Sequence, residues 1–85
     1  MGIYIAFKEK VITLGYTIDP KYQRKGYAYE ILKSFINYLY NKFYEYEIVC
    51  MVHPNNEASK KLLEKLNFNN KGYLEQVDSL LYSLN

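Results

Sequence analysis

Six consecutive residues, Gln23-Arg24-Lys25-Gly26-Tyr27-Ala28, combine the types needed to hold an anion. Two basic side chains and a glycine stand where a strand-like run (11–18, closed by Asp19-Pro20) passes into a long amphipathic stretch. The first turn of a helix presents N–H groups that have no acceptor inside the helix, and its dipole adds positive potential, so anions collect there. Glycine at the junction permits a tight turn and lets backbone approach a phosphate with no side chain between. The pattern predicts a phosphate cradle; a basic surface turn that only starts a helix has the same composition. Two other reactive types occur once each. His53 follows a strand, and imidazole suits acid–base work, although a structural or solvent-facing histidine is the commoner case. Cys50 lies inside an apolar run and is expected to be a buried, inert thiol rather than a nucleophile.

The elements that position these residues follow from periodicity. Residues 3–7 and 11–18, rich in Val, Ile, Thr and Tyr, read as an antiparallel hairpin around Lys8-Glu9-Lys10, a turn without an Asn-Gly signal. Gly15, inside the second strand, marks either a bulge or a close approach by a ligand. From 27 to 43, Ile31, Leu32, Phe35, Ile36, Leu39 and Phe43 recur on one side of a helix, with Lys33, Asn37 and Lys42 off that stripe. At 1.5 Å per residue this helix spans about 25 Å. Residues 47–52 are apolar without alternation, as in a strand buried on both faces. A strand, a long helix and such a strand form a crossover, so 11–18 and 47–52 are expected to be parallel neighbours.

Pro54 closes that strand, and Asn55 or, preferably, Asn56 caps a second helix. This helix carries Ala58, Leu62, Leu63 and Leu66 on its apolar face and ends near Asn67, after which Phe68 returns to the core. The tail reads as two strands, 71–77 and 80–84, around Asp78-Ser79. The order β-β-α-β-α-β-β describes a single α+β layered domain over residues 1–85.

Composition excludes several classes. With 85 residues the core is modest: a chain of this size buries roughly 60–65% of its unfolded surface. Eleven basic against nine acidic residues give a net charge of +2, too balanced to imply a nucleic-acid partner. The 11 tyrosines are expected to be half-buried or at an interface, with a base-stacking surface as the rival reading. One cysteine cannot build a disulfide framework. No metal site is expected. The early residues lack the apolar core of a secretion signal, and no stretch approaches a membrane span, so a cytoplasmic protein is expected.

Five segments together resemble the GNAT acetyltransferases. Gln23-Arg24-Lys25-Gly26-Tyr27-Ala28 is similar to that family's acyl-coenzyme A signature, Q/R-x-x-G-x-G/A. Leu14-Gly15-Tyr16-Thr17-Ile18-Asp19-Pro20 precedes it, and Val52-His53-Pro54-Asn55-Asn56-Glu57-Ala58-Ser59 follows. Leu63-Glu64-Lys65-Leu66-Asn67-Phe68 and the ending Asp78-Ser79-Leu80-Leu81-Tyr82-Ser83-Leu84 resemble the ribosomal-protein N-terminal acetyltransferase branch.

The resemblance implies a splayed parallel pair of strands with the pantetheine arm of acetyl-CoA in the opening. Backbone of Leu14, Gly15, Tyr16, Thr17 and Ile18 would hold the arm. Amides of Arg24, Lys25, Gly26, Tyr27 and Ala28, with Gln23 at the head of the motif, would hold the pyrophosphate, and Lys25 and Arg24 would add charge-assisted contacts. Asn56 resembles the asparagine that touches the arm near the thioester, and Ser59 the serine proposed to protonate the leaving thiolate. Asn56 and Ser59 are thus the candidate catalytic residues. The implied reaction is direct attack of a primary amine, such as a protein N-terminus, on the thioester.

The chain also departs from the pattern. It begins where family members have their third strand, so the elements that supply much of the amine site have no counterpart. Thr13 stands where many members of the branch carry a glutamate, Leu63 where other branches carry a tyrosine, and Asn67 where glycine is usual. Three readings stay open: a short acetyltransferase completed by a second copy, a non-catalytic coenzyme A-binding module, and a remnant without ligand. The strand 3–7 would lie at an uncovered edge, which predicts a homodimer through sheet extension.

Overall fold

In the computed structural model, which describes residues 2–17 and 26–84, the β-branched runs form one five-stranded sheet of order β1-β2-β3-β5-β4. β1 (Gly2–Lys8) and β2 (Val11–Thr17) pair antiparallel in unbroken register from Lys8–Val11 to Gly2–Thr17. Their two-residue turn places Glu9 at φ 56°, the left-handed conformation that the missing Asn-Gly would otherwise supply. Helix α1 (Tyr27–Lys42) then crosses over to β3 (Glu47–Val52), which lies parallel to β2 as expected.

Helix α2 (Glu57–Lys65) starts at Asn56, whose Oδ1 accepts the N–H of Ser59 at 3.2 Å, a conventional N-cap. It ends with Asn67 at φ 71°. Phe68 N–H donates to the Leu63 carbonyl at 2.9 Å, and Asn67 N–H to that of Glu64 at 3.0 Å. These two bonds define a Schellman end, with asparagine in the place usually taken by glycine.

The tail differs from its sequence reading. β4 is Asn69–Leu74, residues Glu75–Val77 form a 3₁₀ turn rather than strand, and β5 is Ser79–Ser83. Asp78 at φ 46° makes the reversal, which a strand running to Val77 would leave no room for. Gly15 stays in regular register, so the bulge that is one of its two readings is absent there; the sheet's irregularity lies at Asn70–Gly72, where Gly72 has φ 114° and its N–H donates to Asn70 Oδ1 at 2.8 Å.

Cross-strand register sorts the side chains onto two faces. Ile12 lies beside Ile48, Leu14 beside Cys50, and Cys50 beside Tyr82. These residues join Leu32, Ile36 and Leu39 of α1, Leu63 of α2, and Leu66 and Phe68 in a single core. Both helices therefore cover the same face, and the protein is two layers thick. Phe7, Phe43 and Tyr46 close one end, with edge-to-face rings 5.1 to 5.9 Å apart. Two expectations need correction. Met51 is exposed, because its place in β3 faces away from the helices, so that strand is not apolar-covered on both sides. Ile31 is exposed as well; Ala28, Leu32, Ile36 and Leu39 form the buried line of α1, and Ile31 lies 100° off it.

Candidate functional site

The site begins where the parallel pair stops pairing. β2 and β3 are bonded from Val11–Glu47 to Leu14–Cys50 and no further, although both strands continue. Glu47 N–H donates to the Lys10 carbonyl at 2.8 Å, which sets the alternation along the strand. Ile12, Leu14 and Tyr16 therefore direct their backbone groups toward β3, and Gly15 and Thr17 direct theirs toward β1. Tyr16 is the first such residue beyond the last paired position, so its N–H and C=O face the opening.

A cleft of about 530 Å³ occupies this opening. Six of the residues singled out by sequence line it: Tyr16, Thr17, Gly26, Ala28, Asn56 and Ser59. They come from three separate elements. Gly26 is the N-cap of α1, with φ 75° and no side-chain cap, and a Cβ there would meet nothing within 4 Å. Positive φ, not crowding, is what requires glycine. The first bond inside α1 runs from Glu30 N–H to the Gly26 carbonyl at 3.1 Å, so the preceding amides point out of the helix end.

The remaining candidates are placed otherwise. Leu14 is a core residue and does not line the cleft. Gly15 pairs regularly with Tyr4, and a Cβ on it would stand 2.7 Å from the Tyr4 ring; the glycine makes room for that ring. The Tyr27 side chain is exposed. Ile18, Gln23, Arg24 and Lys25 lie outside the described residues.

Four lining residues escaped the sequence reading as site residues: Tyr29, Ala58, Leu62 and Lys65. Lys65 Nζ lies 4.4 Å from the centre of the Tyr29 ring, a cation–π contact at the mouth. Ala58, Leu62 and Lys65 follow one another at helical spacing, so tracing the row of α2 that starts at Ala58, beside Ser59, would have found them.

The electrostatics separate the reactive groups from the inert ones. Burial pushes the Cys50 thiol up to about 11, which removes it as a nucleophile at neutral pH. The Tyr16 hydroxyl is raised above the usual phenol range, chiefly by burial, with the neighbouring Ser59 hydroxyl opposing and Cys50 adding to the rise. His53 is exposed and outside the cleft lining. Its Nδ1 accepts the Asn55 N–H at 3.2 Å and its Nε2 stands 3.7 Å from Asp78, so it braces the turn before α2. Leu63 is fully buried in the core. Among the described residues no group of three His, Cys, Asp or Glu could hold a metal, and no helix is long and apolar enough to cross a membrane.

The acetyltransferase (GNAT) domain model matches residues 1–69. The chain belongs to the GNAT acetyltransferase family. It is 33% identical over 72 residues to the N-acetyltransferase YoaA of Bacillus subtilis, covering 85% of this chain and 41% of that protein. It is 37% identical over 60 residues to the ribosomal protein uS5-alanine N-acetyltransferase of Escherichia coli, covering 71% and 31%. The fold matches a ribosomal-protein-S5-alanine acetyltransferase from Vibrio fischeri with a TM-score of 0.83 at 22% identity, over 95% of this chain and 51% of that one. A GNAT acetyltransferase from Bacillus anthracis gives 0.81 at 24% identity, over 95% and 54%. The chain thus spans about half the length, or less, of the proteins it matches. The mixed sheet with its splayed parallel pair and two helices is the GNAT arrangement anticipated from sequence.

Proposed function

We propose that this chain binds acetyl-CoA in the β2–β3 opening and transfers the acetyl group to a primary amine by direct attack. One observation carries the reading. The parallel ladder ends at Leu14–Cys50, and the helix starts at Gly26 and Asn56 flank the opening it leaves. Pantetheine is a chain of amides, and the Tyr16 peptide group, turned to the opening, is the kind of partner it needs. The end of α1 suits the pyrophosphate, since its glycine cap places no side chain over the helix start.

In the reaction the Tyr16 N–H is positioned to stabilise an oxyanion at the thioester carbonyl. Ser59, on the wall of the same cleft, gives its hydroxyl proton to the departing sulfur and regains one, through water, from the attacking nitrogen, which sheds a proton as the amide forms. Asn56 uses Oδ1 to cap α2, which leaves its Nδ2 to donate to the arm. The incoming ammonium loses its proton through water, since no described carboxylate or imidazole lines the cleft. An N-terminal amine of a protein is the acceptor that the uS5-alanine relatives suggest, in the cytoplasm where such relatives would meet it.

A second reading has its own support. Both helices lie on one face of the sheet, and the other presents exposed Tyr4 and Met51 with no described element over it. A chain so built would bind coenzyme A without transfer unless a further layer supplied the amine site. The edge strand β1, with exposed Tyr4, Ile5 and Phe7, suits a homodimer formed by sheet extension.

Calorimetric titration with acetyl-CoA, followed by a thiol-release assay over a panel of amines and N-terminal peptides, tests all three readings. Binding with acetyl-dependent thiol release is expected. Binding without release selects the non-catalytic module, and no binding removes both. Light scattering at micromolar concentration should give the mass of two chains; a monomer across ordinary salt would remove the dimer.

A further inference from the structure

The Tyr16 hydroxyl is the one buried side-chain polar atom, among the described residues, without a hydrogen-bond partner. Leaving such a group unpaired costs about 1–3 kcal/mol. A phenylalanine would fill the same space without that cost, so packing does not explain the oxygen. Its surroundings do. Tyr16 stands in the open half of β2, with its ring on the cleft wall beside Ser59. The Ser59 hydroxyl is near enough to favour its ionised form, and the Cys50 thiol, a poor acceptor, is near enough to oppose it. Leu63, one helical turn beyond Ser59, is sealed in the core and brings no hydroxyl to this place.

We infer that Tyr16 is a positioning residue for Ser59: when the donor thioester occupies the cleft, the buried phenol donates to Ser59 Oγ and turns the serine's own O–H toward the sulfur. This rests on the acetyl-CoA reading above. Ser59 is the third residue of α2, and a serine hydroxyl there is otherwise free to rotate among local backbone partners. A fixed donor from the strand occupies one lone pair of Oγ and so restricts the rotation of the serine O–H, which favours directions away from the phenol and into the cleft. The Tyr16 proton stays on its oxygen throughout; burial, which lifts the phenol above its usual range, keeps it there. Ser59 is held from its other side as well, since its backbone N–H is fixed by Asn56 Oδ1 at 3.2 Å. Strand and helix cap together would set both ends of one residue.

The test is a double-mutant cycle read by calorimetric binding of coenzyme A and of desulfo-coenzyme A, which lacks the thiol. Wild type, Tyr16→Phe, Ser59→Ala and the double variant are compared, with thermal unfolding of each without ligand. The wild-type protein should prefer the thiol form. Tyr16→Phe should lose about three- to tenfold of that preference, the worth of one hydrogen bond. It should lose none in the Ser59→Ala background. The unliganded Tyr16→Phe protein should unfold at the same or a higher temperature, because an unpaired buried oxygen has been removed.

An unchanged preference in Tyr16→Phe overturns the assignment while leaving coenzyme A binding intact. Equal losses in both backgrounds overturn it too, as does a lower melting temperature, which would mark the hydroxyl as structural. If the wild-type chain binds neither compound, the acetyl-CoA reading itself has failed.

Discussion

The two halves of the β2–β3 pair are built from the same kinds of residue and are put to opposite uses. In the zipped half, Val11–Leu14 lies against Glu47–Cys50, and Ile12, Leu14, Ile48 and Cys50 are sealed beneath the helices. In the open half, beginning at Gly15, β2 keeps β1 as a partner but loses β3, and a buried hydroxyl is left without a bond. The first half holds the layers together. The second leaves hydrogen-bonding capacity unused and holds it in a fixed place by bonding on the other side. The candidate site is the place where the ladder stops early.

The sharpest break of that contrast is at its boundary. Leu14→Ala empties a fully buried position in the last zipped pair and should cost about 2–5 kcal/mol, a large share of the stability of a domain this small. Urea unfolding measures it; a loss below 1 kcal/mol would mean that the zipped half does not carry the core.

Cys50, the partner of Leu14, gives a pH test of the same seal. Its thiol ionises near 9 when unfolded and at about 11 when folded. Above pH 9 the unfolded chain releases a proton that the native state retains, so stability falls between pH 9 and 11, by roughly 2–3 kcal/mol at the upper end. In Cys50→Ala the alkaline loss should be smaller by that amount. Parallel curves for the two proteins would show that the thiol is not sealed.

In the open half the effects are smaller and separable. Asn56→Ala removes the cap of α2 and should cost about 1 kcal/mol as well as weaken acetyl-CoA binding. Asn56→Asp keeps a capping oxygen but loses the amide donor, so melting should be nearly unchanged while affinity still falls. Equal affinity in wild type and Asn56→Asp would reduce Asn56 to a cap. Smallest is Gly15→Ala. A Cβ would meet the Tyr4 ring at 2.7 Å, and the ring is exposed enough to swing away, so the expected cost is about 1 kcal/mol. In a Tyr4→Ala background the same change should become neutral or stabilising, since glycine is a poor strand residue. A cost that persists there would mean that something besides Tyr4 needs the glycine.

Much of this was legible because it is local. The stripe through Leu32, Ile36 and Leu39 marks a helix, the apolar run 47–52 marks a strand, and a helix between strands forces parallel pairing. Asn56 as a cap is read from residue type alone and is found in that role, and the helix end expected near Asn67 is found there with Asn67 in the left-handed conformation. What stayed hidden depends on partners far along the chain. Gly15 looked like a ligand-approach point because nothing nearby in sequence announced that Tyr4 would lie across it. Residues 75–77 looked like strand because their turn depends on where β5 pairs.

The candidate site divides in the same way. Residue types at helix starts, Gly26 and Asn56, follow from dihedral preference and capping chemistry, which act within a few residues, and the sequence alone determined them. The splay did not follow from residue type: Thr17 and Val52 are as strand-forming as Ile12 and Ile48. It lies in which residues find a ladder partner across the sheet, and between β2 and β3 that pairing ends at Leu14–Cys50. Only the tertiary structure decided that Tyr16 would carry both the backbone groups facing the opening and the unpaired hydroxyl beside Ser59.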